Sequence, residues 1–334
     1  MRQTALLAAL LVFGPAAFAA DPQLLNLVMP DAKILAGANG NNIRISPFGQ
    51  YIIARVGALN LEPQKLIAAT GFDPLQDVTE VLAASNANQA SPANLLLAEG
   101  NFDAQKIAAA VTAQNKNAQI QTLPGATVIS ITNPNNNKTV AVAFIGNSIA
   151  AAGPLADVQA AIARTNTPSA IDPALATQVN QVSSAEDEWL VSSVSVASLL
   201  PPAAANNATN SPVNQILPIL KSIQSFSGGI KFADNVVMTG QATTTDAQNA
   251  GALSAVIKLA VNLLSSMGTG QNAQMAQFAQ VLQSLQVTTS GMAVNLSLSV
   301  PEAQVEAALN NVLKRPNVAP AVERLQRRQS NKGN

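Results

Sequence analysis

Residues 246–267, DAQNAGALSAVIKLAVNLLSSM, form the longest apolar, alanine-rich, proline-free run of a 334-residue chain. Leu253, Ile257, Val261 and Leu264 recur at helical spacing, while Ser254, Lys258 and Asn262 recur away from them, which predicts a long amphipathic helix. Lys258 and Asn262 fall in the middle of the run, where a charge and an amide would be costly in hydrocarbon. The run therefore reads as a helix laid across a sheet, not as a transmembrane span. The rest of the chain has to supply that sheet.

The chain opens with the three parts of a secretory signal over residues 1–19: Arg2, an apolar stretch from Ala5 to Phe13, and a small-residue end with Ala17 and Ala19 in an A-x-A pattern. Cleavage is expected after Ala19. No cysteine follows to carry a lipid, the apolar run is shorter than the roughly 20 residues of a span, and Pro15 breaks it. The expectation is a soluble exported protein, periplasmic or extracellular. Removing 19 residues from 334 leaves 315, ample for a core without covalent staples. The chain has no cysteine, so packing alone must hold an exported fold together.

Strand patterns outnumber helices before the long run. Residues 32–38, 78–84, 95–100, 120–123, 126–132, 140–152 and 188–196 read as strands, with 140–152 split by Gly146-Asn147 into a hairpin. Residues 229–243 and 286–299 read as hairpins turning at Asp234-Asn235 and Ser290-Gly291. Helices are expected over 24–29, from Ser46-Pro47, and over 62–70, 102–113, 154–164, 214–225, 274–285 and 301–313. Thr245 with Gln248 fits a capping box for the long helix. Hairpins dominate and no glycine-rich strand-to-helix turn occurs, so the fold class is α+β with mostly antiparallel sheet and helices on one face.

Two segments repeat a pattern. Pro154, Ala156, Val158, Ala160, Ala161 and Ile162 align with Pro301, Ala303, Val305, Ala307, Ala308 and Leu309, and Asp103-Ala104-Gln105 recurs as Asp246-Ala247-Gln248. This predicts an internal duplication: a first α+β unit over 20–170, a second over 171–314, and a basic tail over 315–334. From Lys314 onward six basic residues face one acid, Glu323, whereas residues 20–313 carry 11 basic and 17 acidic residues. The tail, broken by Pro316 and Pro320, reads as solvated and disordered. An acidic, exported body disfavours nucleic acid as a partner.

Histidine and cysteine are both absent. Ser-His-Asp and Cys-His catalysis cannot be assembled, and zinc, haem and iron–sulfur sites lose their ordinary ligands. No P-loop or dinucleotide fingerprint is present. The acids available to a hydrolase are Asp73, Asp77 and Glu80 in FDPLQDVTE, and Glu186-Asp187-Glu188. One tryptophan and one tyrosine leave little surface on which a sugar could stack. No cofactor or metal site is expected, since the acidic triplet lacks calcium-loop spacing.

At Ser46-Pro47-Phe48-Gly49-Gln50, Thr70-Gly71-Phe72-Asp73-Pro74 with Asp77-Val78, and Gly100-Asn101-Phe102-Asp103, the first half resembles uncharacterised exported bacterial proteins with a signal peptide and an α+β body. That resemblance implies export and supplies no activity or functional residues. The sequence reading is thus a non-enzymatic exported protein, an interaction or structural module of the envelope that binds a protein. Its alternative is a carrier of a lipid-like ligand, with Leu253, Ile257, Val261 and Leu264 lining an apolar groove between sheet and long helix. A carboxylate hydrolase comes third.

Overall fold

A computed structural model describes residues 20–58, 63–88, 91–196, 212–267 and 281–313. The expected signal, the tail and most of the helix expected at 274–285 lie outside the described residues. Within them, 12 strands form one sheet. These are β1 (Ile34–Asn39), β2 (Val78–Ser85), β3 (Asn94–Gly100), β4 (Ala118–Leu123), β5 (Ala126–Thr132), β6 (Thr139–Ile145), β7 (Ile149–Pro154), β8 (Glu188–Ser192), β9 (Ile223–Phe232), β10 (Asn235–Thr244), β11 (Gln286–Ser290) and β12 (Ala293–Pro301). Their spatial order is β11-β12-β10-β9-β8-β1-β2-β3-β7-β6-β5-β4, and every pairing is antiparallel. The protein is α+β, as its hairpin pattern predicts. Gly146 closes the β6–β7 hairpin and Gly291 the β11–β12 hairpin, with φ of +59° and +58°, a conformation that side chains disfavour.

One face of the sheet carries the main core. Leu35, Leu82, Leu97, Val128, Ala143, Ala151 and Val191 point to it and are buried. They pack under α1 (Pro22–Leu27), α7 (Leu155–Ala163) and α8 (Pro173–Ser183), through Leu24 and Leu27, Val158 and Ala161, and Leu175 and Val179. Trp189 also lies here, its ring so close to Gly37 that a Cβ there would come within 2.5 Å of it. Helix α8 occupies a stretch that reads as a polar unit boundary. Its signals are Asp172, which accepts from Ala174 and Leu175 N–H, then Pro173, then apolar residues at positions 175, 179 and 182.

The opposite face is covered at its two ends. Toward one end, α6 (Ala104–Gln114) packs Ile107 and Ala108 with Phe102 on Ile129 and Phe144. Toward the other, α10 (Ala247–Met267) packs Ala250 and Leu253 on Ile223 and Val294, with Ile257 alongside. Near α10, α9 (Pro212–Ser222) runs into β9, continuing through Pro218. Helices α3 (Pro47–Ala58) and α11 (Glu302–Leu313) meet through Tyr51, whose hydroxyl donates to Glu306 O, and Phe48 packs on Phe232 of β9. The short α2 (Gly40–Ile45), with no sequence counterpart above, turns the chain out of β1. Two further helices, α4 (Pro63–Thr70) and α5 (Pro74–Asp77), lead back into the sheet, α5 running directly into β2.

The matching segments occupy matching places. Asp103 and Asp246 each accept a hydrogen bond from the amide three residues on, capping the helix that follows β3 and β10 respectively. The cap of α10 is therefore Asp246 with Asn249, not a Thr245–Gln248 box, because a carboxylate beside the helix start satisfies the free amide directly. Pro154 and Pro301 each end the strand that pairs with the strand before the capped helix, β7 on β3 and β12 on β10.

Candidate binding surface

Cross-strand register defines a single line of residues over the whole sheet. Val287 pairs with Leu296, then Gly240, Gly228, Leu190, Ala36, Ala83, Leu96, Ala152, Val142, Ile129 and Ile120. Directly paired residues share a face, and Leu296 and Ile129 belong to the clusters under α10 and α6, so this is the face those helices cover at its ends. Between the helices, from β8 to β6, nothing among the described residues covers the line. Leu96 is 50% exposed, and Leu190 and Val142 are exposed beside the small side chains of Ala36, Ala83 and Ala152.

The open span crosses six strands, or about 24 Å at the usual strand spacing. An antiparallel sheet facing water normally alternates with polar residues outward. Here the outward line is apolar throughout. Its floor continues into a shallow groove of about 440 Å³ lined by Ile34, Ala36, Ala83, Leu96, Ala152 and Pro154. The next line of residues toward α6 starts at Glu188 and runs through Ala38, Val81, Ala98 and Ala150 to Phe144. Glu188 is the one ionisable side chain in these two lines between β8 and β6. Desolvation, with help from neighbouring Asp187, pushes its pKa up.

The stripe named from sequence is divided. Leu253 is buried and Ile257 half-buried against the sheet, Val261 is half-buried, and Leu264 is exposed. Ser254, expected on the polar side, is buried next to Leu253, since at 100° per residue it continues the row from Ala250. The side of α10 facing away from the sheet exposes Leu259 and Leu263, at 59% and 57%. By length and composition Ala247–Ser266 is the one described helix that could cross a bilayer, with mean hydropathy 1.2. Its packing on β10–β12 and Lys258 at its middle leave no clear transmembrane span.

The acids singled out for hydrolysis hold local structure. Asp73 accepts from Leu75 N–H and Asp77 from Asp73 N–H, together shaping the turn before β2. Asp187, 1% exposed, accepts from Asn42 Nδ2 at 2.8 Å, Lys231 Nζ at 2.7 Å and Phe232 N–H at 2.8 Å, tying α2, β8 and β9 together. Glu186 accepts from the Thr239 hydroxyl and lies against Gly229, where a Cβ would come within 2.5 Å of it. Glu80 accepts from Asp21 N–H on the main-core face, away from Asp73 and Asp77. Among the described residues no group of three carboxylates is placed to hold a metal ion.

The architecture is that of a large antiparallel sheet with helices on both faces, not on the one face expected from the sequence, and with an apolar band on one face that no described residue covers. No family model and no characterised protein matches the sequence. Solved structures do resemble the fold. Crystal form III of TP0453 superposes with a TM-score of 0.52 at 10% identity, over 88% of this chain and 99% of that one. Crystal form I of the same protein gives 0.47 at 8% identity, with the same coverage. At this identity the likeness to form III is one of fold. The open band was hidden in the sequence because each strand contributes only one or two of its residues. The legible signal was the consecutive apolar run at 95–97, which leaves no polar residue for the second face.

Proposed function

We propose that this chain is an exported, non-enzymatic interaction protein, and that the apolar band from Leu190 to Val142 takes a helical segment of a partner protein. The carrying observation is the uncovered middle of a face whose two ends are both packed by helices. Composition and register continue unbroken from the covered parts into the open part, so the surface suits the same kind of cover. A gap of about 24 Å admits one or two helices, each roughly 10–12 Å across with side chains. The small residues Ala36, Ala83 and Ala152 let a helix approach closely, with Leu96 and Leu190 as ridges beside it.

Photo-crosslinking in the native host tests this reading. A photoreactive residue at position 96, 190 or 142 should give an adduct with one protein, mapped to an amphipathic helix, and Leu190→Asp should abolish the adduct at 96. The same residue at exposed Gln119, on β4, should give none. A second reading, the lipid-like carrier, draws on the groove beside Ile34 and Pro154. Its openness counts against it, since small-molecule sites bury most of their ligand. A stoichiometric lipid in native mass spectra, with no protein adduct at position 96, would replace the interaction reading by the carrier.

A further inference from the structure

Ala20, the residue after the expected cleavage point, is 4% exposed. Its N–H donates to Ser183 Oγ at 2.9 Å, where the end of α8 packs on the main-core face. One residue on, Asp21 N–H donates to Glu80 Oε1 at 3.1 Å. A residue spans at most about 3.6 Å, so the Glu80 carboxylate lies within roughly 7 Å of the Ala20 nitrogen. The C-terminal half of α1 is held by Ser169, whose hydroxyl donates to Leu25 O, and by Arg164, whose Nη2 donates to Leu27 O at 2.7 Å.

This corner is short of positive charge. Glu80 and Glu99 are cross-strand partners on β2 and β3, a direct like-charge pair that weakens a sheet. Asp21 adds a third carboxylate from the head of α1, α8 contributes the neutral Ser183, and β1 places neutral Asn39 opposite Glu80. Among the described residues, none of the three carboxylates has a lysine or arginine in ion-pair contact. Desolvation, with Asp21 and Glu99 adding to it, raises the Glu80 pKa to about 7, against a normal 4.5.

We propose that removal of residues 1–19 completes this corner, with the α-ammonium released at Ala20 serving as the buried counter-ion of Glu80 and locking α1 to the sheet. The inference rests on the export reading above. In the signal-peptidase step, water adds across the Ala19–Ala20 peptide bond. Its oxygen leaves with Ala19 as a carboxylate, and the Ala20 nitrogen takes up protons to become an ammonium. That group has three donors: one keeps the Ser183 Oγ contact, and the others are free for the Glu80 carboxylate. A buried ammonium without a partner would be strongly unfavourable, and the carboxylates remove that cost.

Mass spectrometry of the chain exported by its own host first fixes the amino terminus. The chain starting at Ala20 is then compared with the same chain Nα-acetylated, with and without Glu80→Gln. With the free amine, Glu80 should titrate at least about one unit lower by carboxyl NMR, a tenfold change in its ionisation equilibrium. The amine should resist acylation in the folded state, and the acetylated chain should melt at lower temperature, a difference that E80Q removes. Equal Glu80 titration in the two forms, with a freely acylated amine, overturns the ammonium site while leaving export intact. A terminus other than Ala20 overturns the processing step on which it rests. Acetylation alone keeps the test decisive if E80Q does not fold.

Discussion

Three consecutive leucines on β3 compare the two faces of the sheet. Leu95 and Leu97 are 3% and 0% exposed, and Leu96 between them is 50% exposed. The side chain and the strand are the same, so the difference lies wholly in what covers each face. On the main-core face α1, α7 and α8 seal the sheet. On the other, α6 and α10 cover the ends, and among the described residues β8 to β6 are left bare. A face meant for water would carry polar residues at Leu190, Leu96 and Val142. An apolar face that no described residue covers is what the proposed interaction surface rests on.

Truncation should separate the faces most strongly. Leu97→Ala should cost about 2–5 kcal/mol in chemical denaturation, because it opens a cavity under α1 and α7. Leu96→Ala should stay within about 0.5 kcal/mol, as for other exposed positions. Equal costs would mean that Leu96 is covered. Next in size, Asp187→Ala should destabilise by about 1–3 kcal/mol, leaving Asn42 and the Phe232 amide without their acceptor and Lys231 without its counter-charge. Lys231→Ala should cost less, since Lys231 is 44% exposed and Asp187 keeps two donors.

The smallest effect concerns Glu188, next to Asp187 but turned to the apolar band. Its folded pKa is raised, so the folded chain holds its proton more tightly than the unfolded chain does. That contribution is present at low pH and lost as pH rises through the folded value. Glu188→Gln should therefore flatten the fall in stability across that range and leave the acid-side stability unchanged, as read by melting temperature against pH. A helix docked with a basic residue near Glu188 would lower its pKa, so the same titration, repeated with a partner bound, sharpens the comparison of the two faces.

Much of the fold was legible because it depends on local signals. Asp234-Asn235 and Ser290-Gly291 mark real hairpin turns, and Asp103 and Asp246 mark real helix starts. The long helix does lie on the sheet. Helix α8 was passed over, although Asp172-Pro173 and the 175–179–182 spacing announce it, because the polar residues between them read as a boundary. The order of the strands was not legible. Pairing of β1 with β8, some 150 residues away, leaves no trace in either segment. The open band depends on that order, since its members come from six strands and align only once the register is set. The helical stripe of Leu253 to Leu264 was visible as a period of 3.6, yet the same period serves a helix packed on a sheet and a helix lining a groove.

The absence of cysteine makes the most direct test clean, since a single introduced thiol is unique. The Leu96→Cys and Leu97→Cys variants would be treated with a maleimide, first as purified protein and then in the intact envelope of the host. The account predicts rapid labelling of the L96C thiol and strong protection of the L97C thiol in the purified protein, with the L96C thiol becoming protected in the envelope. Equal protection of both thiols in the purified protein would contradict an open band. Unchanged labelling of L96C in the envelope would contradict its use as a docking surface.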